Sequence, residues 1–230
     1  KHCLCEKPLC LTSKEGERIL KSKFYKNNIT VNFQNRLNPA VQQLLKHLET
    51  ETLGKIIFCS AAVRWWRDDE YFKDWHGDIK RVGGMLFNQG AHVLDLMLKI
   101  CGPARKITKF KKSLRKNKKI DDLYLALIQF KSGALGKLEI TTYTKSQSCG
   151  TSLFVIGEKG SVHLGGLSFN KMEFLSLESE SVKNPTDTED SHFRLIKALN
   201  ESLLKGKRNK FLASAEDGVE VTKFIEELYY

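Results

Sequence analysis

Four polar residues, Asn88, His92, Asp95 and Lys99, lie three or four positions apart in an otherwise apolar segment. On a helix with about 100° per residue they fall within an arc of about 60°, and apolar side chains cover most of the remaining surface. Two interpretations remain open: the stripe faces water, or it lines a cleft in a helix that is buried on its other sides. Histidine suits a cleft because its unperturbed pKa of about 6.5 lets it accept and return a proton near neutrality.

A second candidate lies at the start of the chain, where Glu6, Lys7 and Pro8 follow a short apolar stretch. Proline disfavours helical backbone in the residue before it, so Lys7 is predicted to lie in a stiff, extended segment. Thr12 or Ser13 then predicts the cap of a helix. The pattern indicates a strand, a turn and a helix, and open α/β sheets bind ligands at the carboxyl ends of their strands. A surface lysine in an ordinary turn fits the same residues.

The elements that position these residues are predicted from hydrophobic periodicity. Between residue 55 and about residue 180, runs of β-branched and aromatic residues predict a mostly antiparallel sheet of hairpins, interrupted by one helix over residues 83–102. Other segments alternate as a strand does, at 29–33, or have helical spacing, at 40–49, 191–206 and 215–230.

The composition is that of a folded protein, with 230 residues of which 41% are hydrophobic and 28% are charged. No run approaches the roughly 18 apolar residues of a membrane helix, and no signal-peptide pattern opens the chain. We therefore expect a cytoplasmic protein with no membrane partner. The six cysteines lie mostly among apolar neighbours and are expected to be buried free thiols. No second Cys/His pair has ligand spacing, so no metal site is predicted.

The formal net charge of +11 is compatible with nucleic acid, a membrane surface or a phosphorylated ligand as partner. Much of it is concentrated in a basic run at residues 109–119. Phe110 is the one aromatic residue in this run, so it offers no stacking platform for single-stranded nucleic acid. We expect a solvated loop or a strand edge protected by lysines, and do not expect nucleic acid as a partner.

Several motifs occur together in an order and spacing typical of one family: "CEKP", "FQNRLNPA", "GGMLFNQGAHVLDL" and "IGEKGSV". With these motifs the sequence resembles the glucose-fructose oxidoreductase, inositol dehydrogenase and MocA family (Gfo/Idh/MocA) over essentially its whole length. The "NQGAH" segment and the tryptophan-rich "RWWRDDEYFKDWHGD" are similar to the bacterial branch that oxidises UDP-N-acetyl sugars, or their uronic acids, at C3.

The resemblance implies an α/β protein in two parts. Residues 1–38 would be the end of a Rossmann nucleotide-binding domain. Residues 39–230 would form the substrate and oligomerisation domain, an open and mostly antiparallel sheet with helices on one face and subunit contacts on the other. The dinucleotide fingerprint G-x-G-x-x-G is absent from these 230 residues and is expected upstream. A truncated gene, a split protein or a partial sequence would look the same.

The resemblance also implies a chemistry, the oxidation of a secondary sugar hydroxyl with NAD or NADP. Glu6, Lys7 and Pro8 resemble the family's active-site motif beside the cofactor. His92 would be the base, and Lys7 would stabilise the oxygen or relay its proton. Most members have an aspartate at the position of Asn88, so a carboxylate relay is in doubt and Asn88 can only orient other groups.

Substrate contacts are predicted for Asn88 and for Arg36, Arg64 and Arg67, because a guanidinium pairs well with phosphate or carboxylate. Four aromatic residues either wall a sugar or base site or belong to the core: Trp65, Trp66, Tyr71 and Trp75. Two other functions remain open at this point. One is an inositol or polyol dehydrogenase of the same fold, and the other is a non-catalytic, basic binding or assembly module.

Overall fold

The computed structural model describes residues 1–23, 25, 28–115, 120–145, 147–177 and 190–230. A small parallel sheet joins β1 (Cys3–Cys5) to β2 (Ile29–Val31), and α1 (Ser13–Lys21) lies between them in the chain. Thr12 caps α1 in a capping box with Glu15, which confirms one of the two predicted caps. Because β1 and β2 are parallel, the residues that follow both strands meet at one edge of this sheet.

Within these ranges a second sheet has seven strands in the order β4-β5-β6-β3-β7-β8-β9. The pairing of β3 with β6 is parallel, and the other pairings are antiparallel. The predicted antiparallel sheet is therefore confirmed, although residues 178–180 lie outside the described residues. The strands are β3 (Ile56–Arg64), β4 (Ala104–Lys112), β5 (Leu123–Phe130), β6 (Leu135–Thr141), β7 (Gly150–Gly157), β8 (Gly160–Gly165) and β9 (Lys171–Leu177).

The helices cover one face of this sheet, as predicted. Along β5, Tyr124 and Ala126 are buried on the helix side, whereas Leu125 and Leu127 are exposed on the opposite face. None of the helices in the described residues is long and apolar enough to cross a bilayer. The helices after α1 are α2 (Pro39–Glu49), α3 (Ile79–Val82), α4 (Ala91–Cys101), α5 (Ser191–Lys205) and α6 (Ala215–Tyr229).

The helix predicted over residues 83–102 is not continuous. Gly83 ends α3 in a left-handed conformation, with φ of 71°. Residues 86–90 then form a π-helical turn before α4 begins. A Cβ at Gly90 would lie 2.7 Å from the Cδ1 atom of Ile140, so this turn packs directly on the sheet. A π-helical turn has a wider hydrogen-bonding pattern than an α-helix and is frequent at functional sites.

The polar stripe faces water only at its far end, where Lys99 is exposed, and Asn88 is half-buried. His92 and Asp95 are 8% and 2% exposed. The stripe also divides into two groups, because Lys99 forms an ion pair of 2.7 Å with Asp217 on α6, away from Asn88. The interruption of the helix explains part of this separation, since a wheel drawn at 100° per residue does not hold across a π-helical turn.

Candidate active site

Lys7 lies just beyond the carboxyl end of β1, and the Lys7-Pro8 peptide bond is cis. Its Nζ atom donates a hydrogen bond of 2.5 Å to the backbone carbonyl of Asn88, in the π-helical turn. Burial lowers the pKa of Lys7, and the charge of Arg67 lowers it further while Glu6 opposes the change. The structure therefore brings Lys7, Asn88 and Arg67 into one region.

Glu6 is oriented by Asn32, which follows β2. The Nδ2 atom of Asn32 donates a hydrogen bond of 2.7 Å to Oε1 of Glu6, and the backbone N–H of Asn32 donates to the carbonyl of Cys5. The two side chains thus meet at the shared carboxyl edge of β1 and β2. Sequence reasoning did not select Asn32, although a polar residue directly after a predicted strand is a signal for this edge.

His92 lies in the first turn of α4, where its ring meets the edge of the Phe33 ring at a centroid distance of 5.9 Å. Its Nδ1 atom is buried and has no hydrogen-bond partner among the described residues. Burial lowers the pKa of His92 well below 6.5, and the charges of Lys7 and His192 add to this effect. At neutral pH the imidazole is therefore neutral and has a nitrogen free to accept a proton.

The loop after β3 contacts this region through Tyr71. The Tyr71 hydroxyl accepts hydrogen bonds from Nδ2 of Asn88, at 3.2 Å, and from Nε2 of Gln89, at 3.4 Å. The two amides belong to the π-helical turn, so the loop is fixed to the same backbone segment that binds Lys7. Gln89 belongs to the "NQGAH" segment but was not selected as a site residue from the sequence.

Arg67 lies between two aromatic rings. Its guanidinium carbon is 5.1 Å from the ring centroid of Trp65 and 5.1 Å from that of Tyr71. Its Nη1 atom donates to the Trp66 carbonyl, whereas Nε is buried with no partner among the described residues. A cation held this way retains hydrogen-bonding capacity for an anionic group.

Arg115 anchors this loop from the basic run at residues 109–119. It donates hydrogen bonds to the Asp122 carboxylate and to the backbone carbonyl of Arg67, and its guanidinium lies 4.7 Å from the Phe72 ring centroid. Arg115 is 8% exposed, so the expectation of a solvated run is wrong at this residue. Residues 116–119 lie outside the described residues. No signal in the sequence distinguishes Arg115 from its lysine neighbours.

Arg36 lies in the protein interior, 2% exposed. Its Nε and Nη2 atoms donate to the Asp95 carboxylate and its Nη1 atom donates to Asp217 at 2.9 Å. Burial by itself would lower the pKa of Arg36, but the two carboxylates raise it, so the guanidinium stays charged. In this arrangement Arg36 joins α4 to α6, and its predicted contact with substrate stays a prediction.

Arg64 lies on the sheet face that the helices leave uncovered. It forms a bidentate pair with Glu139 on β6, with distances of 2.5 and 2.7 Å, and this pairing lowers the pKa of Glu139. The register of β3 and β6 places Arg64 with exposed Leu135 and Lys137, on the face opposite α4. The structure therefore does not bring Arg64 together with Lys7.

The aromatic residues have different environments. Trp65 packs against the core, and Trp66 contacts Tyr143 at a centroid distance of 5.9 Å. Trp75 is 51% exposed and stacks on His76 at 3.8 Å.

The six cysteines are free thiols and differ in their burial. Cys59 and Cys101 are buried, as expected, whereas Cys3, Cys5, Cys10 and Cys149 are partly or fully exposed.

The strand edge has unsatisfied polar atoms that fit a bound cofactor. The Oδ1 atoms of Asn32 and Asn35, like Nδ1 of His92, are buried without a partner among the described residues. Buried polar atoms are nearly always hydrogen-bonded in proteins, so these atoms are available to a polar ligand or to water. Among the described residues no three His, Cys, Asp or Glu side chains are grouped as a metal site requires.

Comparison with known proteins places this chain in a family. A family model described as the GFO/IDH/MocA C-terminal domain matches residues 41–163, more than half of the chain. The chain belongs to the GFO/IDH/MocA family. It is also 24% identical, over 197 residues, to the levoglucosan dehydrogenase of Pseudarthrobacter phenanthrenivorans. That match covers 70% of this chain and 48% of the relative, so the chain spans about half the length of the curated relative it matches.

Solved structures of this family have the same fold. The WlbA dehydrogenase from Bordetella pertussis, in complex with NADH and UDP-GlcNAcA, superposes with a TM-score of 0.85 at 24% identity, covering 100% of this chain and 68% of that chain. A levoglucosan dehydrogenase in complex with NADH and levoglucosan superposes with a TM-score of 0.82 at 19% identity, covering 100% of this chain and 72% of that chain. At these identities the likeness establishes the fold alone.

Proposed function

We propose that the full-length protein is an NAD(P)-dependent sugar dehydrogenase whose proton-transfer groups are Lys7 and His92. We further propose that its substrate is a UDP-N-acetyl sugar, or the corresponding uronic acid, oxidised at C3. The observation that carries the proposal is the hydrogen bond from Lys7 to the carbonyl of Asn88, four residues before His92. It places a desolvated amine beside the segment that leads into a neutral, buried imidazole.

His92 and Lys7 have different roles in the proposed oxidation of the alcohol. Removing a hydride from carbon requires removal of the hydroxyl proton and stabilisation of the oxygen as it becomes negative. We assign the proton to His92, whose lowered pKa keeps it neutral. We assign the oxygen to the Lys7 ammonium, which has two N–H groups besides the one donated to Asn88. Asn88 itself can orient the sugar or the amine.

The cofactor would lie beside Glu6, Lys7 and Pro8, at the carboxyl edge of β1 and β2. When bound, NAD or NADP supplies the nicotinamide that accepts the hydride. The unpartnered Oδ1 atom of Asn32 is available to a polar group at this edge. Asn32 also fixes the direction of the Glu6 carboxylate through its 2.7 Å hydrogen bond.

The choice of a nucleotide sugar is supported by Arg67. Its guanidinium lies near Lys7, as its effect on the pKa of Lys7 indicates, and its Nε atom has no partner among the described residues. A diphosphate or a uronic acid carboxylate offers the acceptors that such a group requires. The WlbA dehydrogenase, with a similar fold, binds UDP-GlcNAcA.

We also propose that the protein is a homo-oligomer that associates through the uncovered sheet face. Phe110, Leu125, Leu127 and Leu135 form an apolar patch there, and Leu127 is 62% exposed. A group of exposed apolar residues on one face is typical of an interaction site.

The experiment that tests the function is an assay of NAD and NADP reduction by the full-length protein with four substrates. These are UDP-N-acetylglucosamine, its uronic acid, myo-inositol and levoglucosan. We expect reduction with one or both UDP-sugars at the highest kcat/KM. Preference for inositol or levoglucosan would contradict the nucleotide-sugar proposal. No reduction with any of the four would contradict a sugar dehydrogenase.

A further inference from the structure

A series of side chains in ring contact runs outward from the candidate active site. Arg67 lies between Trp65 and Tyr71, as described above. The Tyr71 ring then contacts the ring of His76 at 4.2 Å, and His76 stacks on Trp75 at 3.8 Å with an interplanar angle of 29°. We call Tyr71, His76 and Trp75 the aromatic ladder. Its inner end is hydrogen-bonded to Asn88, and its outer end is half exposed.

The segment that carries the ladder is held in place by local contacts. The Asp74 carboxylate accepts hydrogen bonds from the backbone N–H of His76, at 2.8 Å, and from Nδ1 of its ring, at 2.6 Å. Gly77 allows the chain to turn closely, since a Cβ there would lie 2.1 Å from the carbonyl oxygen of Phe72. The loop therefore holds His76, and the Trp75 ring stacks on the His76 ring.

The chemical groups follow one another in a definite order from the interior to the surface. The amine of Lys7 and the amide of Asn88 come first, then the cation of Arg67, and last the exposed ring of Trp75. A nucleoside diphosphate sugar has its groups in the same order, with the reacting sugar, the diphosphate and then the planar base.

This inference rests on the proposed function and extends it. We propose that the aromatic ladder is the nucleobase subsite, where the base of a nucleoside diphosphate sugar stacks on the free face of Trp75. An indole ring presents a π-face on which any base can stack. The ladder then determines affinity for the nucleotide part of the substrate, away from the reacting carbon.

The test uses the full-length protein and the variant Trp75→Ala. We expect KM for the UDP-sugar, and the inhibition constant of UDP, to rise about tenfold while kcat changes by less than about twofold. Trp75→Phe retains a ring and should restore most of the affinity. Phe174→Ala removes a similarly exposed aromatic side chain on β9 and should change nothing. Unchanged KM and unchanged UDP inhibition in Trp75→Ala would overturn the inference.

Two further measurements separate the possible failures. Calorimetric titration with UDP measures binding at the subsite without turnover. If the wild-type protein binds UDP through Trp75 but oxidises no sugar, only the proposed function is contradicted. A sugar ring can also stack on an indole, so titration with disaccharides tests whether Trp75 binds a sugar and not a base. If disaccharides bind through Trp75 and UDP does not, the nucleobase assignment is wrong.

Discussion

The Lys7 ammonium and the Asn88 carbonyl are joined by a hydrogen bond of 2.5 Å across 81 positions of sequence. One partner follows a strand of the small parallel sheet, and the other belongs to the π-helical turn packed on the large sheet. The contact therefore links the two sheets at the candidate active site. It also uses a backbone acceptor, so the side chain of Asn88 remains available to Tyr71 and to a ligand.

Burial of His92 predicts a specific pH dependence of stability. In the unfolded chain His92 titrates near about 6.5, whereas in the folded protein its pKa is well below that value. Below about pH 6.5 the unfolded state binds a proton that the folded state does not, so the contribution of His92 to stability falls as the pH falls. Thermal unfolding of wild type and His92→Gln between about pH 5 and 7.5 measures this. As the pH falls, we expect the melting temperature of the wild type to decrease more than that of the variant. If the difference between the two melting temperatures does not change with pH, burial of His92 is not the cause.

The Arg36 ion pair predicts a large loss of stability when it is broken. Arg36→Met leaves Asp95 buried without its counter-charge, which costs about 3–5 kcal/mol in comparable cases. Arg81→Met is the matched control, because Arg81 is 72% exposed in its pair with Asp78 and such pairs contribute about 0–1 kcal/mol. Urea unfolding compares the two variants. Equal effects would mean that Arg36 does not act as an internal ion-pair partner.

Arg115 is predicted to position the loop that carries Arg67 and Tyr71. Arg115→Lys keeps the charge but loses the planar group that contacts Asp122, the Arg67 carbonyl and Phe72. We expect KM for the sugar substrate to rise several-fold in the full-length protein, with a smaller change in kcat. Steady-state kinetics and circular dichroism together check this. An unchanged KM in a folded variant would show that the loop does not need this anchor.

The uncovered sheet face predicts a charge-sensitive assembly. Leu127→Asp places a carboxylate in the centre of the apolar patch and should shift the protein to smaller species in analytical ultracentrifugation. Leu204→Asp is the control, since Leu204 on α5 is 79% exposed but lies outside that patch. If Leu127→Asp and wild type sediment alike, this face is not the subunit interface.

Local patterns were sufficient to predict most of the elements. The alternation in the hairpins and the Thr12 cap follow from near neighbours in sequence, and both were confirmed. The contacts within the candidate site were harder to predict, because they join residues that are distant in sequence. Arg36 was predicted as a substrate contact, but Asp95 and Asp217 lie 59 and 181 positions away, and no local signal marks them as its partners.

The prediction of one uninterrupted helix over residues 83–102 was wrong for a different reason. Its hydrophobic pattern fits an uninterrupted α-helix, whereas packing of Gly90 against Ile140 accompanies a π-helical turn. A period of 3.6 residues cannot anticipate such a turn, which changes the direction of Asn88 relative to Asp95. The family resemblance led to the prediction of Lys7 and His92, which stays a prediction. The buried state of Arg115 depends on Asp122 and the aromatic rings around it.

The most direct test of the central claim is single-turnover oxidation of the UDP-sugar by the full-length protein with saturating NAD or NADP. His92→Asn and Lys7→Met should each reduce the rate of nicotinamide reduction by about 100-fold or more, because each removes a positioned proton-transfer or oxygen-stabilising group. Substrate binding, measured by calorimetry on the same variants, should change far less. If either variant reduces the cofactor at the wild-type rate, that residue has no part in the proton transfer and the proposed active site is wrong.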